Sequence, residues 1–537
     1  MFNKVVSAKS AVDFIKDGST ISCVGFTLMG ACETILKEIE NRFFEHRTPS
    51  QLTLIHCAGH SDRVNGIQHL AHKGLVKRII GSHWGLAPKW GELIHDNEVE
   101  AHCLPQGQMT HLFRSMASGK SGNFSKVGLG TFIDPRIEGG LMNDKAKQTG
   151  SFVDVIDIKG EEHLFYNAIP IDVAIIRGTT ADENGNVTME DEAIKLEAIS
   201  VAQAVKRYGG KVIVQVKNLA RRGSLHPKQV VVPGIFVDAI VLAEEPVHEH
   251  RQTSSTFFDP VYSGDLKVAE STLEPIPLTV RKIIGRRGVM ELFPQAVVNL
   301  GTGIPGDTIG PVASEEGILQ EIILTVESGV IGGVPAGGTD FGISKNAEAI
   351  IEHPYQFDYY NGAGVDITYM GTAEVDGKGN VNVSKFGSRV VGCGGFIDIT
   401  QPAKKVVFVG TFTAGGLEIE IKDGKLKIIK EGKNKKFLNQ VRQITFSGQY
   451  ARENQQPVYF ITERAVFRLI PNGVELIEYA PGIDIEDDIL AQMEFQPVIS
   501  PYLKEMPSVI FKEQVMNFKD LFYYFSESAS TEVHPVS

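Results

Sequence analysis

The sequence predicts an α/β protein made of two related open α/β domains, each a mainly parallel sheet flanked by helices. Three observations predict it. Short apolar, β-branched runs alternate with segments of helical period, the pattern of parallel sheets covered by helices. Two segments of equal length, DVAIIRGTTADENGNV (172–187) and DITYMGTAEVDGKGNV (366–381), begin on Asp172 and Asp366 and end alike in Gly-Asn-Val. The chain has 537 residues, 42% hydrophobic and 22% charged, enough for two globular cores.

The elements pair off in order. In the first half, STISCVGF (19–26) reads as a strand, CETILKEIENRF (32–43) as a helix and LTLIHCAG (52–59) as a second strand. In the second half, AVVNLGTGIPGD (296–307) reads as a strand and a Gly-rich loop before a short helix, and EIILTVESG (321–329) as the next strand. Each repeated segment is followed by a lysine-led apolar strand, GGKVIVQV (209–216) and AKKVVFVG (403–410). The expected division is a first domain over 1–245, a polar, aperiodic linker over 246–275, a second domain over 276–520 and a small, polar tail over 521–537. KDGKLKIIKEGKNKK (422–436) reads as a solvated β-hairpin turning at Asp423-Gly424.

Composition narrows the function. A net charge of −12 argues against a general nucleic-acid binder. No run of eighteen apolar residues suggests a membrane span, and the opening MFNKVVSAKSAVDFIKDG reads as an amphipathic first helix rather than a signal peptide. Cys23, Cys32, Cys57, Cys103 and Cys393 are scattered, with no CxxC, which fits a reducing cytoplasm.

Glu327 is the first candidate for chemistry. It ends an apolar strand, and Ser328, Gly329, Gly332 and Gly333 follow at once. When the halves are aligned on Gly59 and Gly329, Glu327 falls opposite Cys57, so only one half carries the carboxylate. Strand ends are where open α/β sheets bind ligands. A carboxylate can act as a nucleophile, provided that glycines leave room for the substrate and donors face the developing oxyanion. GCGGF (392–396) offers backbone amides, and LPQGQ (104–108) offers the Gln106 amide. NLGTGIPG (299–306) spells GxGxxG with Gly301, Gly303 and Gly306, which keeps an NAD-dependent oxidoreductase as an alternative. Pro305 in the loop, and the glycines directly after Glu327, weigh against it. His56, Cys57 and His60 lie close together in sequence, but a zinc site needs more convergent ligands, so packing is preferred and no metal is expected.

Together, TVESGVIGG, NLGTGIPG, GCGGFIDIT, PQG and TERAVF (462–467) resemble the family I CoA-transferases over roughly residues 1–520. VESGVIGGVPAGGTDFG (326–342) is most similar to the acetate/propionate CoA-transferase branch. The resemblance implies that Glu327 is the nucleophile of a ping-pong transfer of CoA from a short-chain acyl-CoA to a short carboxylate, with acetate as the default acid. The reaction would pass through an acyl-glutamyl anhydride and a glutamyl-CoA thioester. It implies oxyanion stabilisation by Gln106 and by the amide of Gly394 or Gly395, and CoA contacts at Gly301, Gly303, Gly306, Gly415 and Gly416. It implies a cleft between the two domains, a homo-oligomer, and no cofactor beyond CoA as substrate and covalent intermediate. Hydrolysis of the same intermediate by water is an alternative. The 3-oxoacid branch carries Asn-Asn where this chain has His56-Cys57, so that strand's donor is in question; the position is expected to face the acyl pocket.

Overall fold

The computed structural model describes residues 4–269 and 275–523. The first half is built on a seven-stranded sheet. Its strands are β1 (Thr20–Cys23), β2 (Leu52–His56), β3 (Val76–Gly81), β4 (Glu100–Cys103), β5 (Val173–Arg177), β6 (Lys211–Val216) and β7 (Ala239–Leu242). Their spatial order is β7-β6-β5-β1-β2-β3-β4, and every neighbouring pair is parallel. β5 and β6 are buried almost end to end, so their apolar runs are continuous rather than alternating.

The second half is built on a ten-stranded sheet. In chain order its strands are β8 (Val297–Leu300), β9 (Ile323–Val326), β10 (Val330–Ile331), β11 (Ala349–Ile350), β12 (Ile367–Gly371), β13 (Val406–Val409), β14 (Val458–Ile461), β15 (Ala465–Ile470), β16 (Gly473–Tyr479) and β17 (Val498–Glu505). They lie in the order β11-β10-β9-β8-β12-β13-β14-β15-β16-β17. The middle five, β9-β8-β12-β13-β14, are mutually parallel. They repeat the order of β2-β1-β5-β6-β7 in the first sheet.

The repeat extends to single hydrogen bonds. The Thr20 N–H donates to Asp172 Oδ2 at 2.7 Å, and the Val297 N–H donates to Asp366 Oδ2 at 2.8 Å. Farther along, Asp182 Oδ1 accepts from the N–H groups of Asn184 and Asn186 while its Oδ2 accepts from the Asn186 amide. Asp376 does the same with Lys378 and Asn380. These Asx turns are the physical content of the Gly-Asn-Val match. Thr20 pairs with Thr53 and Val297 with Ile323, so the register sets Cys57 opposite Glu327.

Two expectations need correction or limits. The opening segment is not one amphipathic helix: only Ala8–Val12 is helical, and Val5 bridges to Ile240 beside β7. A sheet edge in need of backbone partners outcompetes the helical propensity of a short segment. The hairpin at 418–430 forms as expected, with Asp423 and Gly424 both at positive φ. Part of the linker (270–274) and most of the tail, including SESASTEVHPVS, lie outside the described residues.

Asp182→Ala and Asp376→Ala each remove the acceptor of the hydrogen bonds that close its turn. Each should lower stability by roughly 1–3 kcal/mol, measured by urea unfolding. A loss at one site and none at the other would show that the repeated turns are not energetically equivalent.

Candidate active site

Glu327 sits at the tip of a tight hairpin. β9 ends at Val326, β10 begins at Val330, and these two residues pair across the turn. Gly329 closes the turn at φ +113°, and a Cβ there would lie 2.2 Å from the Ile351 carbonyl oxygen. Gly333, at φ +72°, would collide with the Lys345 carbonyl at 2.1 Å. Those glycines are required by close backbone approach. They fold the chain back so sharply that the glutamate is left at the end of β9, in the turn to β10, 8% exposed.

The carboxylate borders a cavity of about 370 Å³ lined from both halves. From the first half come Phe26, His83 and Gln106; from the second come Glu327, Gly395 and Phe396. Gly301 also lines it, and Gly303 and Gly306 line a smaller adjoining cavity that shares Thr302, Gly338 and Phe341 with it. Gly303 N-caps the helix Ile304–Glu315 at φ +78°, and Pro305 falls in the first turn, where its missing N–H is harmless. Gly415 and Gly416 are not on the cavity wall: a Cβ on Gly415 would meet Asn434 and Lys433, and one on Gly416 would meet open space.

The wall facing Glu327 is stitched together across the halves. The Trp84 N–H donates to the Val391 carbonyl, the Gly394 N–H to the Ser82 carbonyl, and the Gln106 N–H to the Gly394 carbonyl. The Gly394 amide is therefore engaged, whereas Gly395 donates to no other described group. A Cβ on Gly395 would stand 3.6 Å from Glu327 Cγ, so this free amide is next to the carboxylate.

Gln106 is the first residue of the helix Gln106–Ala117. That helix is held at its start by Asp398 from the other half, whose oxygens accept from the Gly107 N–H at 2.8 Å and from the Gln108 side chain at 2.9 Å. Burial pushes the Asp398 carboxyl up to about 6, against the pull of those donors. The Gln106 side-chain amide lies 2.9 Å from His353 Nε2, and His353 Nδ1 lies 2.7 Å from Glu197 Oε2. With the Nδ1–H donating to the Glu197 carboxylate, Nε2 accepts from Gln106 and fixes its amide.

Burial also raises Glu327, to about 7; its own backbone N–H, His353 and Asn299 pull in the opposite direction. At neutral pH the carboxyl is therefore divided between an ionised and a protonated form. A carboxylate so short of hydration is a stronger nucleophile than one in water.

His56 and Cys57 do not face this cavity, contrary to the expectation from sequence. His56 is buried, accepts from Trp84 Nε1 at 3.0 Å and lies 2.8 Å from the Ala58 carbonyl through Nδ1. Cys57 points the other way and donates to the Gln106 carbonyl. Strand neighbours diverge, and both side chains are satisfied inside the first half. Cys57, Glu197 and His353 converge within 4.8 Å, but each already has a hydrogen-bonding partner.

Sequence reasoning misses His353, Glu197, Asp398 and His83. Only Asp398 lies inside a motif that it singles out, GCGGFIDIT. The others sit in stretches with no spacing signal, and they meet only where the two halves pack together.

The comparisons agree with this geometry. The family model described as Coenzyme A transferase matches residues 5–243. Over 517 residues the chain is 46% identical to the caffeate CoA-transferase of Acetobacterium woodii, covering 95% of this chain and 98% of that one. It is 43% identical to the acetate CoA-transferase YdiF of Escherichia coli K12, covering 96% of each. The solved thioester complex with CoA of the acyl-CoA transferase YdiF from E. coli O157:H7 superimposes with a TM-score of 0.89 at 40% identity, covering 96% of this chain and 97% of that one. A two-sheet α/β fold with a carboxylate in a cavity between the halves, and relatives spanning the full length, define a transferase that handles CoA. The chain belongs to the coenzyme A transferase family, as a family I member.

Glu327→Gln should stabilise the protein. A carboxyl raised from 4.5 to about 7 in the folded state costs nothing below pH 4.5, costs progressively more as pH rises to 7, and costs up to about 3 kcal/mol above it. The variant should gain most in unfolding free energy at pH 8 and little at pH 5. An equal gain at both values would contradict the raised pKa.

Proposed function

We propose that the protein moves CoA from a short-chain acyl-CoA to a short-chain carboxylate, with acetate as a principal acid, and that Glu327 is the nucleophile. One observation carries the reading: a buried carboxyl of raised pKa on the cavity wall beside the unengaged Gly395 amide. The solved thioester complex of the YdiF relative and the acetate in that relative's name support it.

The route is ping-pong. The Glu327 carboxylate attacks the thioester carbon, the C–S bond breaks, and CoA leaves as thiolate, with the acyl group now joined to Glu327 as a mixed anhydride. The thiolate attacks the glutamyl carbonyl and expels the free acid, leaving a glutamyl-CoA thioester. The acceptor acid runs the same steps in reverse. Each addition places negative charge on one oxygen, and the Gly395 N–H together with the free hydrogen of the Gln106 amide would stabilise it. Binding of the long CoA away from the reacting carbon supplies energy for a difficult attack by a weak nucleophile.

The apolar walls, including Phe26, Phe341 and Phe396, exclude water from the intermediate and favour transfer over hydrolysis. The A. woodii relative is named for caffeate, and a cavity of about 370 Å³ with four phenyl rings has room for an aromatic acid as a second acceptor class. The reading includes a cytoplasmic location, supported by five free, buried cysteines. It also includes a homo-oligomer, supported by Val498, Ile499 and Tyr502 standing exposed on edge strand β17.

The test is transfer from acetyl-CoA to propionate, butyrate and an arylpropenoate, following each new acyl-CoA and free CoA by chromatography. New acyl-CoA without accumulating free CoA is expected; free CoA and acetate alone would show a hydrolase. Glu327→Gln should lose at least about 10³-fold in kcat. For the unmodified protein, kcat/KM should rise with pH through about 7 and then level, because only the ionised Glu327 attacks. A flat profile from about pH 5.5 to 8 would contradict the assignment.

A further inference from the structure

His83 lies just beyond β3, where the first half is hydrogen-bonded to the glycine segment of the second. Its backbone bridges to Gly392. Its ring lines the cavity that holds Glu327, beside the Gly394-Gly395 pair: a Cβ on Gly394 would stand 3.9 Å from His83 Cδ2 and 3.8 Å from Gln106 Oε1.

Two glycines clear a slot for this ring. A Cβ on Gly59 would lie 2.6 Å from His83 Nδ1, and one on Gly85 would lie 2.8 Å from Cε1 and 2.9 Å from Nε2. Neither glycine has a left-handed φ, so the backbone does not demand glycine at either place. What demands it is the imidazole. His56 occupies a similar slot against Gly81, but both of its nitrogens have protein partners. His83 differs: among the described residues neither ring nitrogen has a hydrogen-bond partner, and the ring faces the cavity. Burial, with His56 and Arg389 nearby, pushes it down to about 4, so at neutral pH it is an uncharged ring with one N–H to give.

A rigidly held polar group with no protein partner, on the wall of a mostly apolar site, is a specificity and orientation device. We propose that His83 is a further catalytic residue of the transfer, donating its N–H to a carboxyl oxygen of the acyl group as it is exchanged between CoA and Glu327. This rests on the transferase reading above. A neutral donor suits the role, because it can steady an oxyanion without forming a permanent ion pair with the incoming carboxylate.

The experiment compares His83→Phe, His83→Asn, His83→Gln and Gly85→Ala in the acetyl-CoA transfer assay, with thermal midpoints measured alongside. His83→Phe keeps the ring's bulk without the donor and should lower kcat about 100-fold, with KM for acetyl-CoA little changed. An amide nitrogen at the Nδ1 position (Asn) or the Nε2 position (Gln) should recover at least tenfold of that loss, and the better of the two identifies the donating nitrogen. Gly85→Ala retains the histidine but displaces its ring, and it should lower kcat in the same way. Wild-type kcat in His83→Phe or Gly85→Ala, or no recovery by either amide, overturns the proposal. Absence of transfer by the unmodified protein would instead overturn the transferase reading.

Discussion

A carboxyl group held away from water at the tip of a hairpin is the constraint on which the rest of the structure depends. Ionising Glu327 in that position opposes folding, so the surrounding architecture has to hold it there. The turn is forced by Gly329, whose φ and clearance from Ile351 admit no side chain. The strands behind it are buried, and the opposite wall is fixed by backbone hydrogen bonds between 82–84 and 391–394. Stability is surrendered at one residue and recovered across two sheets, a recurring relation between active sites and their scaffolds.

The duplication explains how the two halves share the work. Both sheets keep the same central strand order and the same Asp-anchored turn, yet Glu327 and Cys57 occupy equivalent strand ends. The second half supplies the carboxylate and the Gly395 amide; the first supplies Gln106 and His83. Asp398 then reaches back to hold the start of the Gln106 helix, and His353 joins Gln106 to Glu197. Neither half contains the whole site, so the packing of one half against the other, through the Gln106 helix and the 391–394 loop, is itself part of the cavity's geometry.

Much of this is legible in the sequence because it rests on local pattern. The β-branched runs, the matched Gly-Asn-Val turns and the glycines after Glu327 each report a backbone requirement that a linear reading can detect. The parts that are not legible depend on distant residues. His83 gains its meaning from Gly59, Gly85 and Gly394, and His353 gains its own from Glu197 in the other half. His56 is expected at the pocket from the resemblance alone, whereas Trp84 and Ala58 hold its ring inside the first half. The first residues read wrongly as a full helix because Val5 is drawn to the sheet edge beside Ile240.

The central claim is that Glu327 becomes covalently linked to CoA. Its most direct test is the intact mass of the protein after mixing with acetyl-CoA and no acceptor acid, followed by peptide mapping. The account predicts a mass increase equal to CoA less water, located on Glu327 and absent from Glu327→Gln. An unmodified protein that nevertheless transfers CoA between acids, or an adduct on another residue, would contradict it.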